Sequence, residues 1–332
     1  MGADTTEASY WLNWRFFLSA LWILTAIVSS SIILWKYEVF RKLRREGRGN
    51  QQCEAQCLYK EEAWKTCIPS IHPAWLLTFR SCAFLVLLAL IVTNIALDGI
   101  DIMYFYTQWT FTLVTIYFGV GSVFSMYGCC QHSNLLDHEQ IDFAPLDVER
   151  VADVGASLEE DVNICSSEKV VDDHSTTSVR ELANFWSYAF QVTFQVAAGA
   201  VVLTDSVFWF LIYPFLTESS YRLHFMDVSM HSINAVFLVG DTILNGMRFP
   251  FFRIAYFVTW TSTFVVVQWI VHACVSIWWP YPFMDLSSRF APAWYLAVGV
   301  MHFPCYGLFA LIVRLKNFLL SKSFPESIPT TH

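Results

Sequence analysis

The chain has 332 residues, of which 55% are aliphatic, aromatic or cysteine and only 14% charged. Soluble domains carry about 25% charged residues, so this composition excludes an ordinary soluble fold. The formal net charge of -8 comes from acids crowded into one loop, and no basic patch of the kind that binds nucleic acid is present. The apolar residues fall into long runs, each near the roughly 20 residues a helix needs to cross a bilayer. The fold class expected is an all-α, polytopic membrane helix bundle.

The first ten residues hold two acids and no Lys or Arg, unlike the basic start of a cleaved signal peptide. The first apolar run therefore reads as a retained helix. Seven spans follow in order: Trp11–Lys36, Ala74–Leu97, Tyr104–Tyr127, Leu182–Tyr213, Leu223–Met247, Ile254–Trp279 and Pro292–Leu315. Residues 1–127 hold the first three with a basic loop at 37–73. Residues 128–181 form an acidic loop, 182–315 the last four spans, and 316–332 a tail.

Loop charge sets the expected orientation. Arg41, Lys42, Arg44, Arg45 and Arg48 follow span one; Arg248 and Arg253 follow span five; Arg314 and Lys316 follow span seven. The alternate connections have none in Asp98–Met103, Arg222 in the next and Arg289 in the last. This bias puts the N-terminus outside or in a lumen and the C-terminus in the cytosol. The loop from Gly128 to Arg180 then lies in the cytosol. Its charge and scarcity of aromatics predict disorder, with Ser166 and Ser167 as phosphorylation candidates. Cys129 and Cys130 close span three at the cytosolic face, a candidate palmitoylation site. Cys53, Cys57, Cys67 and His72 match no usual zinc spacing, so no metal and no cofactor is expected, and the thiols read as reduced.

Span five carries Asp227, His231, Asn234, Asp241 and Asn245. On a continuous helix turning about 100° per residue, these five fall within an arc of about 80°. Ionisable groups facing lipid are expensive, so the stripe must face the bundle interior or water. Thr261, Gln268, His272, Ser276 and Trp279 repeat the pattern on span six. Asn184, Ser187, Gln191, Gln195 and Asp205 do so on span four, and Thr107, Thr110 and Tyr117 on span three. Four polar edges point to a shared cavity. Counting turns from the helix ends puts Thr110, His231 and His272 in one layer of the outer third of the membrane, with Asp205 near it. Interhelical hydrogen bonding is the competing account of each residue taken singly.

Three stretches carry a resemblance. "MDVSMHSINAVFLVGDTIL" and "QWIVHACVSIWWPYPFMDLSS" resemble the androgen-induced and androgen-dependent multipass membrane proteins, and "YFYTQWTFTLVTIYFG" is similar to a segment of the fly rolling-stone protein, a relative in the same superfamily. The seven spans, extra N-terminal helix and acidic loop resemble the plant branch. The likeness covers roughly Ile102–Tyr127 and Leu182–Leu315. It implies an intramembrane threonine hydrolase of fatty acid esters of hydroxy fatty acids, with Thr110 of "WTFT" as nucleophile and His231 as the catalytic histidine. Rolling-stone relatives are linked instead to muscle-cell fusion.

The residue types suit that chemistry. A threonine hydroxyl attacks only when a base takes its proton, and histidine is the natural base near neutral pH. Asp227 or Asp205 would orient the imidazole; His272, Asn234 or Tyr117 would supply oxyanion donors. Trp278, Trp279, Tyr281 and Phe283 form an aromatic belt. The partners expected are membrane lipids, entering laterally, in the endoplasmic reticulum or plasma membrane. The alternative is a non-enzymatic seven-helix protein: receptor-like, transporter-like or a membrane fusion factor. Against it, the Asp-Arg-Tyr and Asn-Pro-x-x-Tyr receptor motifs are absent, and no internal repeat marks a transporter.

Overall fold

The computed structural model describes residues 4–39, 60–68, 71–142, 184–217 and 221–323, and within these it is helical with no strand. After a four-residue helical turn at Ala8–Trp11 come α1 (Trp14–Leu34), α2 (Pro73–Asp98), α3 (Tyr106–Asp142), α4 (Phe185–Val207), α5 (Phe225–Met230), α6 (Ile233–Leu244), α7 (Ile254–Cys274) and α8 (Ala291–Ser323). Among the described residues, six helical stretches are long and apolar enough to cross a membrane: Trp14–Glu38, Pro73–Asp98, Tyr106–Ser133, Phe185–Leu216, Phe251–Cys274 and Ala291–Ser323. This is the build of a multi-pass integral membrane protein. Leu21, Leu24 and Ile32 of α1 stay more than half exposed, a face suited to acyl chains rather than water.

Local chemistry fixes the helix ends. Asn13 accepts from the amides of Arg15 and Phe16, capping α1. Asn184, counted in the sequence as part of a polar stripe, caps α4 by accepting from the Ser187 amide. Gly99 takes φ 82° to turn the chain out of α2, a conformation glycine adopts without strain. α4 continues through Phe208–Leu216 in wider turns that accommodate Pro214.

Three expectations change. Span five is not one helix. It breaks after Met230, where His231 leaves helical dihedrals (φ -114°, ψ 21°) and Ser232 follows at φ -150°. The five-residue stripe computed for a continuous helix is therefore split between two short helices, with Asn245 beyond the second. Span six ends at Cys274; Val275 is extended, and Ser276 and Trp279 lie in the turn ahead of Pro280 and Pro282. α3 runs on to Asp142, into the stretch expected to be a loop, because "CCQHSNLLDHEQ" holds no Gly or Pro and several good helix formers. The rest of the acidic loop, with Ser166 and Ser167, and the cysteines Cys53 and Cys57 lie outside the described residues.

α2, α3 and α4 pack in series, and α7, α8 and α1 close the far side against α4. Leu87, Phe118, Phe194, Leu238 and Phe309 join α2, α3, α4, α6 and α8 in one core. α4 meets α7 at Gly199, where an added Cβ would stand 2.6 Å from the Phe257 ring. α5 and α6 lie against α2, running antiparallel to it along its whole length. At one end Asp227 shares a cavity with Asp98; at the other, Asn245 pairs with Thr66, just ahead of Pro73.

The described flanks of the three basic loops meet at one end of the bundle, while Arg41, Lys42, Arg44, Arg45 and Arg48 lie outside the described residues. Arg253 binds Glu38 at 2.8 Å, Arg248 binds Glu62 at 3.0 Å and Lys316 donates to the Asn245 carbonyl at 2.8 Å. At the opposite end the Tyr10 hydroxyl donates to Asp285 at 2.7 Å and accepts from the Trp279 indole and Leu286 amide.

Candidate functional site

Two cavities meet inside the bundle. The first, about 370 Å³, lies between α1, α4, α7 and α8. Its walls are apolar apart from a few groups, among them Thr107, Thr204, His231, Thr261 and His302. The second, about 440 Å³, is a polar vestibule at the Tyr10–Asp285 end, lined by Asn94, Asp98, Asp101, Gln108 and Asp227. Thr107 and His231 belong to both walls. An apolar chamber and an acidic vestibule are thus divided by one hydroxyl and one imidazole.

The helix break puts His231 there. Non-helical backbone at membrane depth needs its freed polar groups satisfied by protein, and the Trp209 indole donates to the His231 carbonyl at 2.9 Å. The imidazole stacks flat on Phe208, with ring centroids 3.7 Å apart and planes 3° from parallel. Its Nδ1 faces Asp205 Oδ1 at 3.8 Å. That is an ion-pair distance, too long for a hydrogen bond. The Asn234 amide lies beside the same carboxylate.

Thr110 is fully buried one turn beyond Thr107, near the Tyr106 hydroxyl. Its Oγ1 has no hydrogen-bond partner, so Thr110 and His231 are not bonded to each other. The same is true of Gln108 Oε1, Asp205 Oδ1, His231 Nδ1 and Asn234 Nδ2. Buried polar atoms are usually satisfied, because leaving one bare costs about 1–3 kcal/mol. Other buried atoms without a partner, among them Ser19 Oγ, Thr112 Oγ1 and Trp260 Nε1, belong to residues that the sequence did not single out.

The other sequence candidates go elsewhere. Asp227 accepts from the Tyr221 hydroxyl at 2.6 Å and the His224 amide at 2.9 Å, so it caps α5 rather than orienting His231. His272 faces the Gln268 carbonyl through Nδ1 at 2.8 Å and stacks on Trp279 at 3.7 Å. Tyr117 gives its hydroxyl to Asp241. Cys129 and Cys130 carry free thiols on α3, the second of them exposed. Cys67 is also free, its thiol donating to the Ile243 carbonyl. Among the described residues no cluster suited to a metal ion is found.

Sequence reasoning missed two arrangements. Arg80, inside α2, pairs with Asp241 at 2.7 Å with neither side chain exposed. It also donates to the Ala63 carbonyl and Ser125 hydroxyl. A lone arginine inside an apolar span was the signal. The second is a chain of hydroxyls and imidazole on the chamber wall: Tyr106, Thr261 and His302. Thr261 was visible on the polar face of span six; His302 stood isolated in "VMHFPC".

Fold and site together define a polytopic helical membrane protein with an internal apolar chamber and a histidine at its polar boundary. Compared with models of protein families, with curated proteins and with solved structures, the chain matches none.

Proposed function

We propose that this protein is an intramembrane hydrolase of lipid esters, related to the androgen-induced, androgen-dependent and rolling-stone-like membrane proteins. The observation that carries the proposal is the position of His231, on a wall shared by an apolar chamber and a polar vestibule and backed by Asp205. An acyl chain entering from lipid fills the chamber, water reaches the vestibule, and the ester lies at the boundary.

In this reading the Thr110 oxygen attacks the ester carbonyl while His231 takes its proton. His231 returns that proton to the leaving alcohol, and water then releases the acid from acyl-Thr110 by the reverse sequence. Asp205 holds the imidazole tautomer and steadies its positive charge, tightening from 3.8 Å as the substrate binds. Asn234, beside Asp205, keeps that carboxylate in place.

The topology proposed has seven crossings. The α5–α6 segment runs the length of α2, and its 20 residues from Phe225 to Leu244 reach about 30 Å at 1.5 Å per residue. With the basic loops in the cytosol, the N-terminus lies outside or in a lumen and the vestibule opens on that side.

The test is hydrolysis of long-chain fatty esters by membranes carrying the full chain. Thr110→Ala and His231→Ala should each remove the same large share of turnover at normal expression; turnover unchanged in both would refute the assignment.

A further inference from the structure

The hydroxyl–imidazole bond that Thr110 and His231 lack is present on the chamber wall, which Thr110 itself does not line. Thr261 Oγ1 on α7 stands 2.9 Å from His302 Nε2 on α8. His302 Nδ1 stands 2.9 Å from the Val298 carbonyl. The Tyr106 hydroxyl on α3 stands 2.8 Å from the same Thr261 oxygen. His302 is 3% exposed, Thr261 8% and Tyr106 7%, and all three line the chamber.

Hydrogen-bond logic fixes the protons. A carbonyl only accepts, so His302 Nδ1 carries the hydrogen and Nε2 of the neutral ring is an acceptor. Thr261 must then donate to Nε2, and Tyr106 must donate to Thr261. The Phe257 carbonyl, 3.3 Å from Thr261 Oγ1, is the weaker alternative acceptor. A hydroxyl donating to an imidazole whose far nitrogen is locked by a third group is the arrangement that activates a nucleophile.

We infer that Thr261 and His302 form a second nucleophile–base pair, acting on long-chain acyl esters held in the chamber. The inference rests on the chamber being an acyl-ester site, but not on Thr110 or His231. A bond forms between Thr261 Oγ1 and the ester carbonyl carbon as the hydroxyl proton passes to His302 Nε2. The carbonyl–alkoxy bond then breaks, and the alcohol leaves with the proton from Nε2. Water attacks acyl-Thr261 and gives a proton to Nε2; that proton returns to the threonine oxygen as the fatty acid departs. Tyr106 is the neighbouring donor for the charge that develops on the carbonyl oxygen.

A purely structural role, three helices joined by hydrogen bonds, makes different predictions. A glutamine at 302 offers Thr261 an acceptor but takes no proton at neutral pH. Membranes carrying the full chain are treated with a long-chain alkyl fluorophosphonate, and the labelled peptide is identified by mass spectrometry. The adduct is expected on Thr261. Thr261→Ser should still label at that position, Thr261→Ala should give no adduct there, and His302→Gln should form the Thr261 adduct at least about tenfold more slowly. Thr261→Ser and His302→Gln, which keep the hydrogen bond, should extract as monodisperse species with the wild-type melting temperature. An adduct on Thr110 alone, an adduct on Thr261 that forms as fast in His302→Gln, or no adduct on the wild-type chain overturns the pair. Ester turnover measured in a Thr261→Ala background reports separately on Thr110 and His231.

Discussion

Arg80 and Asp241 face each other across α2 and α6, Nε to Oδ1 at 2.7 Å, with neither side chain exposed. Tyr117 and Asn245 bond the other carboxylate oxygen, and Phe190 lies under the guanidinium. The pair joins α2, α3, α4 and α6 in the protein interior.

Removing one partner of such a pair strands the other. Arg80→Met or Asp241→Leu should each destabilise the protein by about 3–5 kcal/mol. The double substitution should cost less than either alone, because no bare charge remains. Thermal unfolding in detergent measures this; strict additivity of the two single losses would show the charges to be uncoupled.

Asp205 and His231 invite a graded kinetic test. In a Thr261→Ala background, His231→Ala should lower kcat on a long-chain ester by about 100-fold or more. Asp205→Asn keeps the volume but not the charge, so the loss should fall mainly on kcat with KM little changed. An Asp205→Asn enzyme that changes only in KM would place the carboxylate in substrate binding instead.

The Tyr10–Asp285 clamp predicts an acid-sensitive N-terminus. Burial pushes the Asp285 carboxyl up, but the Tyr10 hydroxyl, the Ser287 amide and hydroxyl and the charge of Arg15 outweigh it and hold the carboxyl below its usual range. A depressed folded value gives stability that is present above the unfolded value of about 3.9 and lost as pH falls through the folded one. Hydrogen exchange at Tyr10–Asn13 should therefore stay slow at neutral pH and accelerate only below about pH 4. In Asp285→Asn, exchange should be faster at neutral pH and no longer depend on acid.

Crossing number can be counted directly. A glycosylation acceptor placed before Trp14 should be modified and one placed after Ser323 should not. Modification at both ends would mean an even number of crossings and a segment Phe225–Leu244 that turns back within the bilayer.

Much of this was legible in the residues. Long apolar runs specify crossings by length alone, so the spans of α1, α2 and α8 follow from composition. Polar residues at helical spacing pointed at the interior, and the structure does bring Asp205, Asn234 and His231 together. The break at His231 was not legible, because "SMHSIN" contains neither Pro nor Gly. Its causes are tertiary: the Trp209 indole takes the freed carbonyl, and Phe208 receives the ring. Tyr117 was misjudged for a similar reason. Its partner Asp241 is held by Arg80, which no periodicity argument connects to it.

The discontinuity after Met230 also bears on biogenesis. A translocon scoring Phe225–Leu244 as an isolated segment meets Asp227, His231, Asn234 and Asp241 within 20 residues, polar groups that oppose insertion more strongly the closer they lie to mid-membrane. The segment can settle only where earlier helices already offer Arg80 to one acid and Trp209 to the open backbone. Synthesis order supplies this, since both residues emerge from the ribosome first. A nascent chain truncated after Leu244 should therefore integrate poorly when α2 is deleted, and its assembly, not its hydropathy, decides whether it stays in the membrane.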